Sequence, residues 1–454
     1  MTRDLTEGIP IKQILIFAIP IYFGMLFQQF YNVVDTVIVG KFLGIRALAG
    51  VGSTGSINFL VLGFCNGMCS GFAIPIARQF GAKDYSEMRR YTANAIWISA
   101  LMAVVVTFFV SLFCRRILVA MNTPEDAFEH AYSYILIIFL GIPFTIFYNL
   151  QAGILRSLGD SRTPLYFLIL SSLLNIVLDL LTILVFGMGV SGPAAATIFS
   201  QAVSGLICFF YIRKRYGILK MSREEMKVSG RHIRRLCGLG VPMGLQFSIT
   251  AIGSIILQTS MNGLGSIAVA SVAAANKINM FMACPFDALG SAMASFIAQN
   301  LGARKIERIV SGERSAVLCG FAVSVLLAVI VGLFGARLIS IFLDEPNQEV
   351  LDYAARYLKV VSLSYFLLAL VNIVRFSIQG LGFSAISIIS GVMEMIARSV
   401  IGLVLVPRFG FSAVCFSQPL AWGMADIFLV PCFIILVRRV RKSLAVEQNI
   451  INQK

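Results

Sequence analysis

Residues 315–336 read SAVLCGFAVSVLLAVIVGLFGA, a run of 22 residues without one Asp, Glu, Lys, Arg or His. Wound as an α-helix it is about 33 Å long at ~1.5 Å per residue, enough to cross a hydrocarbon layer of ~30 Å. It offers water no polar face. Comparable runs recur on both sides of it, approximately at 14–39, 54–77, 93–113, 131–155, 164–186, 192–212, 236–261, 267–298, 353–378, 385–406 and 413–437. The whole chain of 454 residues is 58% hydrophobic and only 13% charged, with a mean hydropathy of +0.86. Soluble domains carry roughly 45–50% apolar residues. The sequence therefore predicts an all-α polytopic membrane protein with twelve transmembrane helices. The first run, from Ile14, is too long for a removable signal region and has no small-residue cleavage site, so it is expected to be retained.

The net charge of +15 raises the question of nucleic acid, and the placement of the cations answers it. Outside the spans, 26 Lys and Arg fall in the N-terminus, the even-numbered loops and the C-terminus, against six in the odd-numbered loops. Cytoplasmic loops hold the positive excess. Both termini are thus expected on the cytoplasmic side of the cell (inner) membrane, and Arg213–Arg235, with nine cations, is expected as a solvated inner linker. The basic balance reports topology rather than a nucleic-acid partner. The nine cysteines are scattered, with no CxxC pair, and read as packing residues. His130 and His232 are the only histidines, which excludes an HExxH zinc enzyme. Gly40-Lys41 runs into Phe42, so no phosphate-cradling GxxxxGK[ST] loop is present. Nothing points to an enzyme or a cofactor.

The chain repeats itself. Phe80-Gly81-Ala82-Lys83 recurs 221 residues later as Leu301-Gly302-Ala303-Arg304. The same offset carries Gly44, Ala47 and Ala49 onto Gly265, Ala268 and Ala270, and Leu158-Gly159 finds Leu381-Gly382. An even number of spans per repeat makes two parallel six-helix lobes related by a pseudo-two-fold axis, with substrate expected between them. The expected division is an N-lobe at 1–212, a linker at 213–235, a C-lobe at 236–437 and a cytoplasmic tail at 438–454.

Ionised groups inside spans cost roughly 2.5–3.5 kcal/mol each on insertion scales, so each needs a reason. Asp35, Asp179, Asp287, Glu394 and Asp426 lie in spans, accompanied by the cations Lys277 and Arg398. Asn175 and Asp179 are spaced i, i+4 and share a helix face. With the N-terminus inside, Asp35, Asp179 and Thr197 all fall roughly 7–11 Å below the outer surface. One pocket can contain all four residues. Two acids with an amide and a hydroxyl form a site for H⁺, or for Na⁺, since hard ions prefer oxygen ligands. Pro20, on the same helix as Asp35, removes a backbone bond and permits a bend. In the second half, Glu394 and Arg398 are again i, i+4 and are expected to form a charge cluster with Lys277. Asp287 faces either a cavity or a neighbour. Gln28, Gln29, Tyr31 and Asn58, with Phe27, are candidate cavity residues.

The whole chain resembles the multidrug and toxic compound extrusion (MATE) family. The resemblance is carried by Val34-Asp35-Thr36-Val37-Ile38-Val39-Gly40 running into Ala47-Leu48-Ala49-Gly50-Val51-Gly52, and by Gln79-Phe80-Gly81-Ala82-Lys83. Further along stand Leu155-Arg156-Ser157-Leu158-Gly159-Asp160-Ser161-Arg162-Thr163-Pro164, Leu174-Asn175-Ile176-Val177-Leu178-Asp179 and Gly187-Met188-Gly189-Val190-Ser191-Gly192. It implies an antiporter that exports amphipathic, often cationic small molecules using an inward H⁺ or Na⁺ gradient, and one chain is expected to function as a monomer. Asp35, Asn175, Asp179 and Thr197 match the family's N-lobe cation site, and Pro20 its bending proline. Some members carry acids on the seventh and tenth helices for a C-lobe Na⁺ site; here the seventh span has none and the tenth offers Asn372 and Arg375. The alternative reading is a lipid-linked saccharide flippase of related architecture, which favours several cavity-facing cations for a pyrophosphate.

Overall fold

The computed structural model describes residues 2–121, 123–341 and 348–452. Among these the chain is helical throughout: α1 (Pro10–Ser53), α2 (Gly55–Gly81), α3 (Tyr85–Ala120), α4 (Glu125–Leu140), α5 (Ile142–Ser157), α6 (Arg162–Leu180), α7 (Ser191–Arg215), α8 (Gly230–Asn262), α9 (Ser266–Gly302), α10 (Ile306–Ser340), α11 (Gln348–Leu363), α12 (Tyr365–Gly380), α13 (Ser384–Val400), α14 (Val406–Phe409), α15 (Phe411–Cys415) and α16 (Ser417–Asn452). Ten stretches are long and apolar enough to cross a membrane, and two more spans are bent pairs, α4 with α5 (48°) and α11 with α12 (49°). Counting each pair as one gives the expected twelve. The helices overrun the apolar windows because their charged ends continue the same hydrogen-bond ladder beyond them. α16 accordingly carries helix through 438–452, where a tail was expected.

One expected loop is absent. The region 40–53 stays helical except at Gly44, whose φ of 82° and ψ of 178° turn the chain within a single residue. The turn is sealed by Val39, Ala47 and Val190, which pack together with Leu43, Leu48 and Val51.

The repeat is written in the backbone. Gly44 and Gly265 both adopt positive φ, as do Lys83 and Arg304, Gly159 and Gly382, and Gly187 and Gly410. Lys83 and Arg304 share a φ of 59° and close matching helix ends. Asp84 N bonds Gln79 O at 3.1 Å, and Lys305 N bonds Asn300 O at 2.9 Å, the crossed bonds that satisfy the last carbonyls of a helix. A single π-turn follows α6 at Leu181–Val185 and α13 at Ile401–Leu405.

Contacts divide the chain into two compact units, the first made of Met1–Asp4 and Phe23–Gly244, the second of Leu5–Tyr22 and Leu245–Lys454. The division falls inside α1 and α8, three residues after Pro20 and after Pro242. Unit 1 is cored by Phe72, Ile76, Phe139 and Leu155. Unit 2 fully buries Phe286, Phe296, Tyr357 and Tyr365, the last two capped by hydroxyl bonds to Asn276 and Asn279. Leu318, Leu333 and Ile427 are at least 70% exposed, the outward apolar face that a lipid solvent requires.

The segment expected as a solvated connector is bound to unit 1. Arg89 pairs with Glu225 at 2.7 Å, Asn94 Oδ1 accepts from Ser229 N at 2.9 Å, and Trp97 Nε1 donates to Met226 O at 3.1 Å. His232 bonds Glu87 at 2.9 Å and stands edge-on to Tyr91.

Candidate functional site

In unit 1, α1 beyond Pro20 carries Tyr31 and Asp35, α6 carries Asn175 and Asp179, and α7 carries Thr197. Asn175 uses both amide hydrogens, donating to Asp179 Oδ1 at 3.3 Å and to Thr197 Oγ1 at 3.2 Å. The carboxyls of Asp35 and Asp179 lie close enough to feel each other's charge. Asp35 Oδ1, Asp179 Oδ2 and Asn175 Oδ1 are buried and meet no donor. Buried polar atoms are almost always satisfied, and here three acceptor oxygens of neighbouring side chains are left without a donor. The π-turn begins two residues after Asp179; local turns of this kind concentrate at functional sites. The phenols of Tyr31 and Tyr134 lie close enough to both acids to interact with their charges.

The other candidates spread out. Gln29 accepts from Asn32 at 3.2 Å, Asn58 is half-buried with Oδ1 unpartnered, and Gln28 and Phe27 are exposed on α1.

Unit 2 assembles a larger set of charges than the sequence shows. Glu394 receives Arg398 at 3.2 Å and, on its other oxygen, Arg375. Arg375 is a member that the sequence does not assign, because it does not reveal which face of the broken α11–α12 span turns inward; Lys277 is exposed on α9. Arg398 also donates to Gln418 at 3.1 Å and Thr250 O at 3.3 Å, and Arg375 to Ser390 at 3.1 Å. Asp287 accepts from Asn372 at 2.9 Å. Glu313, which falls just ahead of the apolar run at 315–336, is also buried and accepts from Ser377 at 2.6 Å. Asp426 is 6% exposed, and neither of its oxygens has a partner.

Twelve apolar spans in two repeated units, each holding buried carboxylates on helices too hydrophobic to keep them for solubility, define a polytopic membrane transporter. The family model MatE matches residues 20–181 and 242–406, beginning at Pro20 and again at Pro242, and the chain belongs to that family of multidrug transporters. It is 30% identical over 380 residues to the probable multidrug resistance protein YoeA of Bacillus subtilis (strain 168), covering 82% of this chain and 81% of that one. It is 22% identical over 371 residues to the FAD transporter of Shewanella oneidensis, covering 80% and 81%. A solved outward-facing multidrug resistance MATE transporter of the MOP superfamily shares the fold, with a TM-score of 0.91 at 23% identity over 96% of this chain and 98% of that one.

Proposed function

We propose that this protein is a secondary antiporter in the cell membrane that exports amphipathic, cationic organic compounds in exchange for H⁺ or Na⁺. The reading rests on the three unpartnered buried oxygens of Asp35, Asn175 and Asp179 and on the Asn175 bonds that tie Asp179 to Thr197. In one state the pocket holds the incoming cation; in the other it gives the cation up. A difference in cation affinity between the two states supplies the work that moves the cargo. Asn175 and Thr197 complete the oxygen set, Pro20 serves as the hinge of α1, and one chain supplies every group required. Both termini lie on the cytoplasmic side in this reading. No organic cofactor takes part. A flippase for a pyrophosphate-linked saccharide would need uncommitted cations, and Arg375 and Arg398 are both engaged by Glu394.

The test is dye efflux from proteoliposomes with a pH gradient and a Na⁺ gradient imposed separately. Wild type should export cationic dye under at least one gradient, and the gradient that works identifies the ion. Asp35→Asn and Asp179→Asn should insert normally and lose coupled export. Full export by both folded variants would refute the assignment, and binding of undecaprenyl-pyrophosphate sugar without dye export would favour the flippase.

A further inference from the structure

Unit 2 links five charged side chains pair by pair, and Arg375 is their hub. It is ion-paired to Glu394, and its charge is felt by both Asp287 on α9 and Asp426 on α16. Arg398 on α13 is the second cation. Among these five, three acids are set against two guanidiniums, so the five fully ionised carry one surplus negative charge. The hydrogen bonds show where the surplus falls. Glu394 has an arginine on each oxygen, and Asp287 has the Asn372 amide. Asp426 has nothing on either oxygen, although it is more than nine-tenths buried. An ionised carboxylate in that condition has lost its water and gained no donor in return.

We propose that Asp426 is a proton-binding site of unit 2, separate from the Asp35–Asp179 pocket, and that Arg375 senses its charge. Uptake forms one O–H bond on Asp426 with a proton drawn from the aqueous phase and cancels the surplus charge. Loss of the proton creates a second claimant on Arg375. That guanidinium ties α12 to α13, and α16 packs on both helices. The ligand is a proton rather than Na⁺ because a proton needs a single oxygen. A metal cation needs a shell of oxygens, and the groups facing Asp426 are a guanidinium and a glutamate whose oxygens are both taken.

The experiment is infrared difference spectroscopy of the protein in lipid at neutral pH, in an Asp35→Asn/Asp179→Asn background that removes the contribution of that pair. Asp426→Asn should delete one neutral-carboxyl C=O band; deletion of an ionised-carboxylate band would overturn the proposal. If Asp426→Asn does not fold, Asp426→Glu decides on the same terms, since a neutral band should shift and a shifted carboxylate band would refute it. Conversion of the neutral band to carboxylate on adding Na⁺ at constant pH would also overturn it, in favour of a Na⁺ site. Because the background lacks Asp35 and Asp179, the Asp426 assignment and the antiport reading can each fail alone.

Discussion

Glu225 shows how a single side chain holds the segment joining the two repeats. Its Oε1 accepts from Arg89 Nε at 2.9 Å and Ser86 Oγ at 3.1 Å, and its Oε2 from the Ser222 amide at 2.8 Å. All these bonds favour the ionised form, and the Arg89 bond foremost pushes the carboxyl down to about 2. An unfolded glutamate titrates near ~4.3. The folded value is the lower one, so the contribution is fully present above ~4.3 and is lost as pH falls through about 2. Trp97, bonded to Met226 O, reports the attachment. In a Trp422→Phe background its emission should stay constant from neutral pH to about pH 5 and change only below ~4.3; a change near neutrality would refute control by Glu225. The readable residues were those whose depth could be counted along uninterrupted spans. Asp35, Asp179 and Thr197 fall on one level by that count, and Asn175, one helical turn from Asp179, bonds both Asp179 and Thr197. Arg375 and Glu313 escaped it, one on the second half of a broken span and the other at the charged edge of an apolar run.

At the scale of helices, close approach depends on residues that hydropathy ignores. Gly67 and Gly71 on α2 meet Gly240 and Gly244 on α8, all within unit 1. A Cβ on Gly71 would stand 2.5 Å from Gly240 Cα, and one on Gly67 would stand 2.7 Å from Met243 O. These are backbone atoms, so neither clash is relieved by a rotamer change. Paired GxxxG spacings let membrane helices pack backbone to backbone where apolar burial gives no drive. Gly71→Ala should cost about 1–3 kcal/mol and lower the thermal-inactivation midpoint in detergent. Gly238→Ala, where an added Cβ meets nothing within 4 Å, should be neutral or gain up to ~1 kcal/mol. Equal effects of the two would remove the packing explanation. Both motifs stand in the sequence as G-x-x-x-G, but only a structure pairs them. The breaks near Gly141 and Ser364 likewise lie within continuous apolar runs, which is why one span was read in each place where two helices meet at an angle.

At the scale of the whole chain, the repeats in sequence and the units in space are not the same partition. The first half of the sequence gives Leu5–Tyr22 to unit 2, and the second half gives the start of α8, up to Gly244, to unit 1. Specific bonds hold each donated piece. Within unit 2, Gln299 accepts from Leu5 N at 2.9 Å, Lys305 donates to Thr6 O at 2.9 Å, and Arg308 reaches Gly8 O at 2.6 Å. Within unit 1, α8 is seated on α2 through the glycine pairs. A periodicity reading places boundaries in polar loops, because loops are where the hydrophobic signal stops; it has no access to an exchange made in mid-helix after a proline. Cutting the chain within 216–229 should therefore leave two fragments that remain together, since each unit still contains parts of both. A protease site inserted there tests this. After cleavage in detergent, the fragments should co-elute in equal amounts on size exclusion. Adding Gly71→Ala, which loosens one of the two donated pieces, should weaken that association. Fragments that separate at once in the otherwise wild-type chain would mean that the linker, and not the exchanged segments, holds the halves of the sequence together.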